Sequence, residues 1–167
     1  MRKLIINSVI PLSLLAMLLI SSGCHPDKDY IFDVNEIETL PSDADKTTLK
    51  TEEQYISVLY ANLFQKALSA NELVAIKKVI ESVGDKETVY EVILSSFMND
   101  PAKIIPADAD MRADIPKFID DTYRRFYVRK PTSAEKEWFR NYILADAKIT
   151  PELVYMSFAL SNEYLYY

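Results

Sequence analysis

Apolar residues recur every three or four positions in several runs between residues 51 and 167. This spacing places the apolar side chains of each run on one face of a helix. The first and fifth runs illustrate it: Ile56, Leu59, Tyr60, Leu63, Phe64 and Ala67, and Trp138, Phe139, Tyr142 and Ile143. We find no convincing strand pattern, so the chain is predicted to form an all-α domain of about six helices.

Capping signals indicate where the predicted helices begin and end. Three helices begin at a capping box, in which two side chains bond free groups of the first turn: Thr51 with Gln54, Ser69 with Glu72, and Thr132 with Glu135. The other three begin at a single N-cap residue: Asp85, Asp114 and Thr150. Gly84 is predicted to cap the second helix at its C-terminal end, and Pro101 is expected to end the third.

The predicted helices fall into two sets of three with the same plan. A shift of 63 residues aligns Tyr60 with Tyr123, and a shift of 65 aligns Tyr90 with Tyr155. We interpret this as a repeated three-helix unit, although two capped helical stretches can also agree at a few positions by chance. The predicted helical domain, 51–167, then divides into two units and a connector: 51–100, 114–167 and 101–113.

The start of the chain has the pattern of a secretion signal. Two basic residues precede the uncharged, mostly apolar residues 4–20, and three small residues stand immediately before the only cysteine, Cys24. An uncleaved membrane anchor is the weaker alternative. Residues 4–20 are at the short end of what spans a bilayer, and Pro11 interrupts them.

This arrangement resembles the signal of bacterial lipoproteins, with Ser21 where the common motif has leucine. The resemblance implies a signal peptide at 1–23 and a Cys24 that is alkylated by a diacylglycerol and acylated, for example with palmitate. It therefore implies a membrane partner reached through the N-terminal lipid. Residue 25 is not aspartate, which by analogy with lipoprotein sorting in enteric bacteria favours the outer membrane; the periplasmic and surface faces both stay open.

Residues 24–50 are predicted to form a flexible acidic linker. They are polar and include Pro26 and Pro41, with no sustained apolar period. Three acidic residues close to Cys24 loosely resemble the export signal of surface lipoproteins of Bacteroidetes-type bacteria: Asp27, Asp29 and Asp33. Solvated linker charges are an equally good interpretation of these residues.

Charge and composition exclude several classes of partner and site. The chain has 19 basic and 25 acidic residues. Removal of 1–23 takes two basic residues with it, so the net charge becomes 17 − 25 = −8. An acidic protein is repelled by nucleic acid and by anionic headgroups, so we predict neither as a partner. With only two glycines in the chain, glycine-rich phosphate loops are also excluded.

No residue set typical of catalysis or metal binding occurs in the predicted domain. The only histidine, His25, lies in the linker, which excludes Ser–His–Asp and Cys–His sites and the common zinc sites. Asp108, Asp110 and Asp114 lack the glycine and glutamate of an EF-hand loop. No spacing marks two carboxylates that face each other as in a glycosidase. We therefore predict no catalytic residue, no metal and no cofactor.

The second unit carries a more specific pattern. Residues 123–135, then Trp138 and then residues 161–164 resemble the small helical modules of phycobilisome linker polypeptides and a widespread module of secreted bacterial proteins. Val128 stands where the secreted module usually has glycine. The resemblance implies non-catalytic assembly of other proteins. The pattern also has a purely local interpretation, in which Arg129 bonds the last carbonyls of the fourth helix and Pro131 ends it.

Two groups of side chains are candidates for contact with a protein partner: Arg124, Arg125 and Arg129, and Tyr164, Tyr166 and Tyr167. The arginines could receive an acidic segment, unless Glu135 or Asp121 neutralises part of the cluster. The tyrosines could dock a partner or stack on sugars, unless a final helix tucks them onto the domain. The resulting hypothesis is a lipid-anchored, non-catalytic binding or assembly module. The alternative is an envelope glycan-binding domain or a carboxylate-based hydrolase.

Overall fold

A computed structural model describes residues 39–167, and this part of the chain is all-α, as predicted. Cys24 and the predicted signal peptide lie outside the described residues. The described helices are α1 Glu52–Phe64, α2 Ala70–Ser82, α3 Lys86–Asn99, α4 Asp108–Ala113, α5 Ile115–Tyr127, α6 Ser133–Ala145, α7 Pro151–Ala159 and a 3-10 helix at Asn162–Leu165. None of them is long and apolar enough to cross a membrane.

The predicted helix starts are confirmed. All three capping boxes form with both of their hydrogen bonds. The hydroxyl of Thr150 and the carboxylates of Asp85 and Asp114 accept hydrogen bonds from the free amides of their helices. These starts depend only on residues within one turn, which is why the sequence predicts them.

The prediction for Gly84 is wrong. Helix α2 ends at Ser82, and the extended residue Val83 leads through Gly84 directly to the N-cap of α3. The two residues with positive φ are instead Gln65, after α1, and Val128, after α5, with φ values of 54° and 56°. Both close the preceding helix with a backbone hydrogen bond in the left-handed conformation that glycine adopts most easily.

The helix bounds repeat between the two units. Adding 63 to the bounds of α1 and α2 gives the bounds of α5 and α6, and adding 63 to Gln65 gives Val128. Adding 65 to the start of α3 gives the start of α7. The two units therefore share one plan of secondary structure, down to the left-handed residue after the first helix.

The predicted connector contains a short helix, α4, that the sequence pattern does not predict. Its residue Arg112 donates hydrogen bonds to carbonyl oxygens at and beyond the end of α6: Ile143 at 3.3 Å, Asp146 at 3.5 Å, Ala147 at 3.0 Å and Ile149 at 2.9 Å. The carbonyls at the end of a helix lack partners within it. Helix α4 thus supplies the C-terminal cap of α6 from a distant part of the chain.

Aromatic side chains fill the core where the two units meet. Tyr164 of the 3-10 helix is fully buried, and its ring contacts Tyr55 of the first unit and Phe126 of the second at centroid distances of 5.7 and 5.6 Å. Its hydroxyl accepts a hydrogen bond of 2.9 Å from the side chain of Asn62. The 3-10 helix therefore contributes to the core through Tyr164.

Residues 40–50, which we call the strap, lie on the domain although the sequence predicts a flexible linker there. Leu40 exchanges backbone hydrogen bonds with Val128 and Lys130, at 2.9 and 3.1 Å. At the other end, the Lys50 amide donates to the Leu165 carbonyl, and the Tyr167 amide donates to the Thr48 carbonyl. Because all these partners are far away in sequence, local composition does not reveal the contact.

We expect Val128→Gly to cost less stability than the same change at a helical valine. A left-handed conformation costs a β-branched residue about 1–2 kcal/mol, and relief of this cost offsets the greater unfolded entropy of glycine, about 0.5–1 kcal/mol. Val128 is 36% exposed, so glycine also loses the apolar contacts of a largely covered side chain. The free energy of unfolding of Val128→Gly in denaturant should therefore stay within about 1 kcal/mol of the wild-type value.

Val79→Gly is the matched control, because Val79 is an exposed valine inside α2. Glycine in a helix interior is unfavourable, so this variant should lose stability. An equal loss in both variants would contradict the left-handed conformation of Val128.

Candidate functional site

The side chain of Arg129 is buried at the centre of a network of charges. Its Nε and Nη2 atoms each donate to the Glu163 carboxylate over 2.7 Å. Its Nη1 and Nη2 atoms donate to the Glu135 carboxylate over 3.0 and 2.7 Å, and Nη1 also donates to the Lys130 carbonyl over 3.1 Å. These bonds use all five N–H groups of the guanidinium.

Local structure places these three side chains together. Arg129 follows the left-handed residue Val128, Glu135 is the acidic member of the capping box of α6, and Glu163 lies in the 3-10 helix. The local interpretation of the sequence predicts that Arg129 bonds the last carbonyls of the preceding helix, and this prediction is wrong. Arg129 bonds two carboxylates instead. The sequence suggested Glu135 as a partner but did not suggest Glu163.

The network holds both glutamates in their ionised form. Burial favours a raised pKa for Glu135, but hydrogen bonds from Arg129 and Thr132 outweigh burial and lower the pKa to about 2. Burial also opposes ionisation of Glu163, and its contacts with Arg129 and Lys46 again lower the pKa. A carboxyl group that acts as a general acid needs a raised pKa, so these two are poorly suited to that role.

The strap adds a second cation to this network. The Lys46 ammonium lies 3.2 Å from Glu163 and 4.9 Å from the centre of the Tyr127 ring, and only 9% of its side chain is exposed. A shallow groove of about 370 Å³ runs between the strap and the residues around Tyr166. Lys46 and Arg129 are the basic residues that line this groove, and the hydrogen bonds described above already use every donor of Arg129.

The predicted basic cluster does not form a continuous surface. Arg124 is exposed, whereas Arg125 is partly buried, donates to the Ile104 carbonyl over 3.2 Å and lies over the Tyr155 ring. Arg129 is buried in the network. Of the three arginines, only Arg124 presents its charge openly to solvent.

The predicted tyrosine cluster is also divided between the core and the surface. Tyr164 is inaccessible, whereas Tyr166 and Tyr167 are 36% and 48% exposed. The Lys50 ammonium lies 4.6 Å from the centre of the Tyr167 ring and donates to the carbonyls of Tyr164 and Tyr166. Of the three tyrosines of this predicted cluster, only Tyr166 and Tyr167 present their rings to solvent.

A pair of exposed aromatic rings on α6 was missed by sequence reasoning. Trp138 and Tyr142 are 60% and 44% exposed, and their rings stack with centroids 5.3 Å apart at an angle of 8°. The sequence pattern assigned both to the inner face of the helix. Helix α6 packs mainly on α5, and Phe139 and Ile143 are the apolar residues of α6 that pack into the core. The apolar stripe of α6 is wider than the contact with one neighbouring helix can cover. This excess width is the signal in the sequence that could have revealed the pair.

Three further aspartates form ion pairs within the domain. Asp120 lies 2.6 Å from the Lys136 ammonium, Asp121 pairs with Lys117, and Asp108 pairs with Arg112. Among the described residues, no cluster of three or more side chains has the arrangement of a metal site. Every buried polar side-chain atom in residues 39–167 has a hydrogen-bond partner.

Comparison of the chain with protein-family models, with curated proteins and with solved structures found no significant match. The resemblances to lipoprotein signals and to linker modules therefore remain predictions from the sequence. The exposed aromatic pair on α6 and the residues around it form the candidate functional site.

Replacement of Arg129 by alanine should strongly destabilise the domain. It leaves the carboxylates of Glu135 and Glu163, whose side chains are 32% and 29% exposed, without their main partner. Because solvent reaches both, the cost should lie at about 2–3 kcal/mol, below the roughly 3–5 kcal/mol typical of a fully buried charge. The free energy of unfolding in denaturant measures the effect. Arg124→Ala is the matched control and should change it by less than about 0.5 kcal/mol, because Arg124 is exposed. Similar values for the two variants would contradict the structural role of Arg129.

Stability should fall in acid as the network is protonated. The pKa of Glu135 is about 2 in the folded protein and 4.5 in its unperturbed state, so its contribution is complete above about pH 4.5 and is lost toward pH 2. The free energy of unfolding, measured from pH 7 to pH 2, should therefore decrease below about pH 4.5. Glu135→Gln should make this decrease smaller, whereas Glu137→Gln, an exposed change on the same helix, should leave it unchanged. An equally large decrease in Glu135→Gln would contradict the ion pair between Glu135 and Arg129.

Proposed function

We propose that this chain is a lipid-anchored protein of the bacterial cell envelope whose helical domain binds another protein without catalysing a reaction. The proposed anchor is Cys24, and the outer membrane is the favoured location. The lipoprotein-like signal supports the anchor. The observation that carries the binding role is the exposed Trp138–Tyr142 pair on α6.

The aromatic pair has the properties of a contact point for a protein. Tryptophan and tyrosine dominate the binding energy of many protein interfaces. The two rings already stack on each other, so a partner would order them at little additional entropic cost. Their exposed apolar surface also contributes about 25 cal/mol per Å² when a partner covers it. Arg124, Tyr166 and Tyr167 stay secondary candidates, because they are the accessible members of the predicted clusters.

The carboxylates support a non-catalytic role. Glu135 and Glu163 are saturated by Arg129, and Asp120 and Asp121 pair with lysines. A hydrolase that uses carboxylates needs one acid with a raised pKa and one free base across a cleft. None of these four side chains fits either role in its present surroundings.

Glycan binding is the second candidate, and the same aromatic pair favours it. A flat, exposed ring can stack on the apolar face of a sugar as well as on a protein side chain. A glycan array distinguishes the two, since the protein-binding proposal expects no signal there.

Crosslinking in intact cells, followed by purification of the tagged protein and mass spectrometry, tests the proposal. A protein partner should be recovered in stoichiometric amount. Changing Trp138 and Tyr142 to alanine should reduce its recovery about tenfold or more, because each ring is expected to act as a binding hot spot. The matched control changes Val74 and Val92, two exposed apolar residues of the first unit, to alanine.

The same cells also test the anchor. The wild-type protein should incorporate labelled palmitate and the Cys24→Ala protein should not, because the variant has no thiol to alkylate. Equal labelling of the two proteins, or no labelling of the wild type, would contradict the lipid anchor. Recovery of the wild-type protein alone, or with glycan only, would contradict the proposed protein-binding role.

A further inference from the structure

A small cavity lies between α3 and the segment that follows α7. Its volume is about 190 Å³, and its lining residues include two tyrosines, two solvent-exposed glutamates and two apolar residues: Tyr55, Tyr90, Glu87, Glu91, Ala159 and Leu165. Sites for drug-sized ligands usually measure about 300–1,000 Å³. The cavity is therefore of a size for a single side chain or a small ion with an alkyl group.

The cavity carries negative charge that its own domain does not neutralise. Glu87 and Glu91 lie one turn apart on α3, and no cation of the described residues lies within ion-pair distance of either. Lys86 is adjacent in sequence, but its ammonium pairs with Glu52 over 2.7 Å. A positively charged group that enters the cavity would therefore meet two available carboxylates.

The second unit contains the same pair of rings with a cation already in place. Under the repeat, Tyr55 and Tyr90 correspond to Phe118 and Tyr155, and both pairs are stacked, with centroids 4.1 and 6.0 Å apart. In the second unit, the Arg125 guanidinium lies 5.3 Å from the centre of the Tyr155 ring. A cation can therefore lie beside this ring pair, because the face of an aromatic ring attracts positive charge.

The first unit lacks this internal cation. The residue that corresponds to Arg125 is Asn62, whose amide is bonded to Tyr164. No lysine or arginine of the described residues lies over the ring of Tyr55 or Tyr90. The first unit combines the ring pair with an open cavity and two unpaired carboxylates in place of the arginine.

We propose that the cavity beside Tyr90 binds the cationic end of a lysine or arginine side chain contributed by a partner protein. The ring of Tyr90 and the carboxylates of Glu87 and Glu91 bind the charge, and the apolar wall contacts the alkyl part of the side chain. The inference rests on the proposed function, because it names the chemistry that the partner must present.

Titration of the purified full chain in detergent tests the proposal with three probes: n-butylammonium, n-butylguanidinium and a short peptide that contains one lysine and one arginine. The double variant Glu87→Gln with Glu91→Gln should bind the peptide roughly fivefold more weakly, since each exposed ion pair contributes a modest factor. Tyr90→Leu should weaken binding about two- to fivefold. Added salt should weaken binding by the wild-type protein.

The matched control is Glu81→Gln with Glu137→Gln, which removes the same charge from two exposed sites outside the cavity. Equal binding by both double variants would overturn the proposal, because a general effect of net charge would then explain the affinity. Equal affinity for the free cations and the peptide would overturn the assignment to a partner protein and identify a small amine as the ligand.

The inference and the proposed function can fail separately. If a partner captured from cells depends on Trp138 and Tyr142 but not on Glu87 and Glu91, the cavity proposal is overturned and the binding function stands. If the peptide binds in the cavity but no protein is recovered from cells, the cavity chemistry stands and the proposed function is overturned.

Discussion

The buried guanidinium of Arg129 is the constraint on which the second unit depends. A buried charge must be paired, and this one requires the start of α6, the 3-10 helix and a backbone carbonyl to be in place together. Such a network need not stabilise the fold more than apolar residues would. Its effect is to favour one arrangement, because any other leaves a buried charge without a partner. Lys46 extends the same requirement to the strap through Glu163.

The first unit shows that the repeated helical plan does not itself need this network. Lys66 corresponds to Arg129 and is exposed, with its ammonium 5.8 Å from the rings of Tyr60 and Phe64. The residue that corresponds to Glu163 is Met98, an apolar core residue. Both units nevertheless keep the capping box and the left-handed turn. The plan therefore follows from local signals, and the network joins the strap and the chain end to the second unit.

The sequence predicts features that depend on contacts between near neighbours in the chain, and it does not predict features that depend on distant contacts. Helix starts were predictable because a cap involves residues within one turn, whereas α4 depends on carbonyls more than 30 residues away in sequence. The strap depends on contacts with residues 128–130 and 165–167, so its composition alone indicated a linker. Arg129 and Tyr164 were assigned to a possible surface for the same reason. The exposed rings of Trp138 and Tyr142 were missed because helical spacing shows which residues share a face, and does not show how much of that face a neighbour covers.

The carboxylates of the Arg129 network and the carboxylates of α3 differ in their partners. In the second unit, Arg129 and Lys136 neutralise Glu135, Glu163 and Asp120. The chain has 25 acidic and 19 basic residues, so not every carboxylate can have a cation of its own. Glu87 and Glu91 on α3 have no cation of the described residues within ion-pair distance, and both line the cavity beside Tyr90. Under the two proposals, the carboxylates of α3 would favour a cation with an alkyl stem, whereas the aromatic pair of α6 would favour apolar surface.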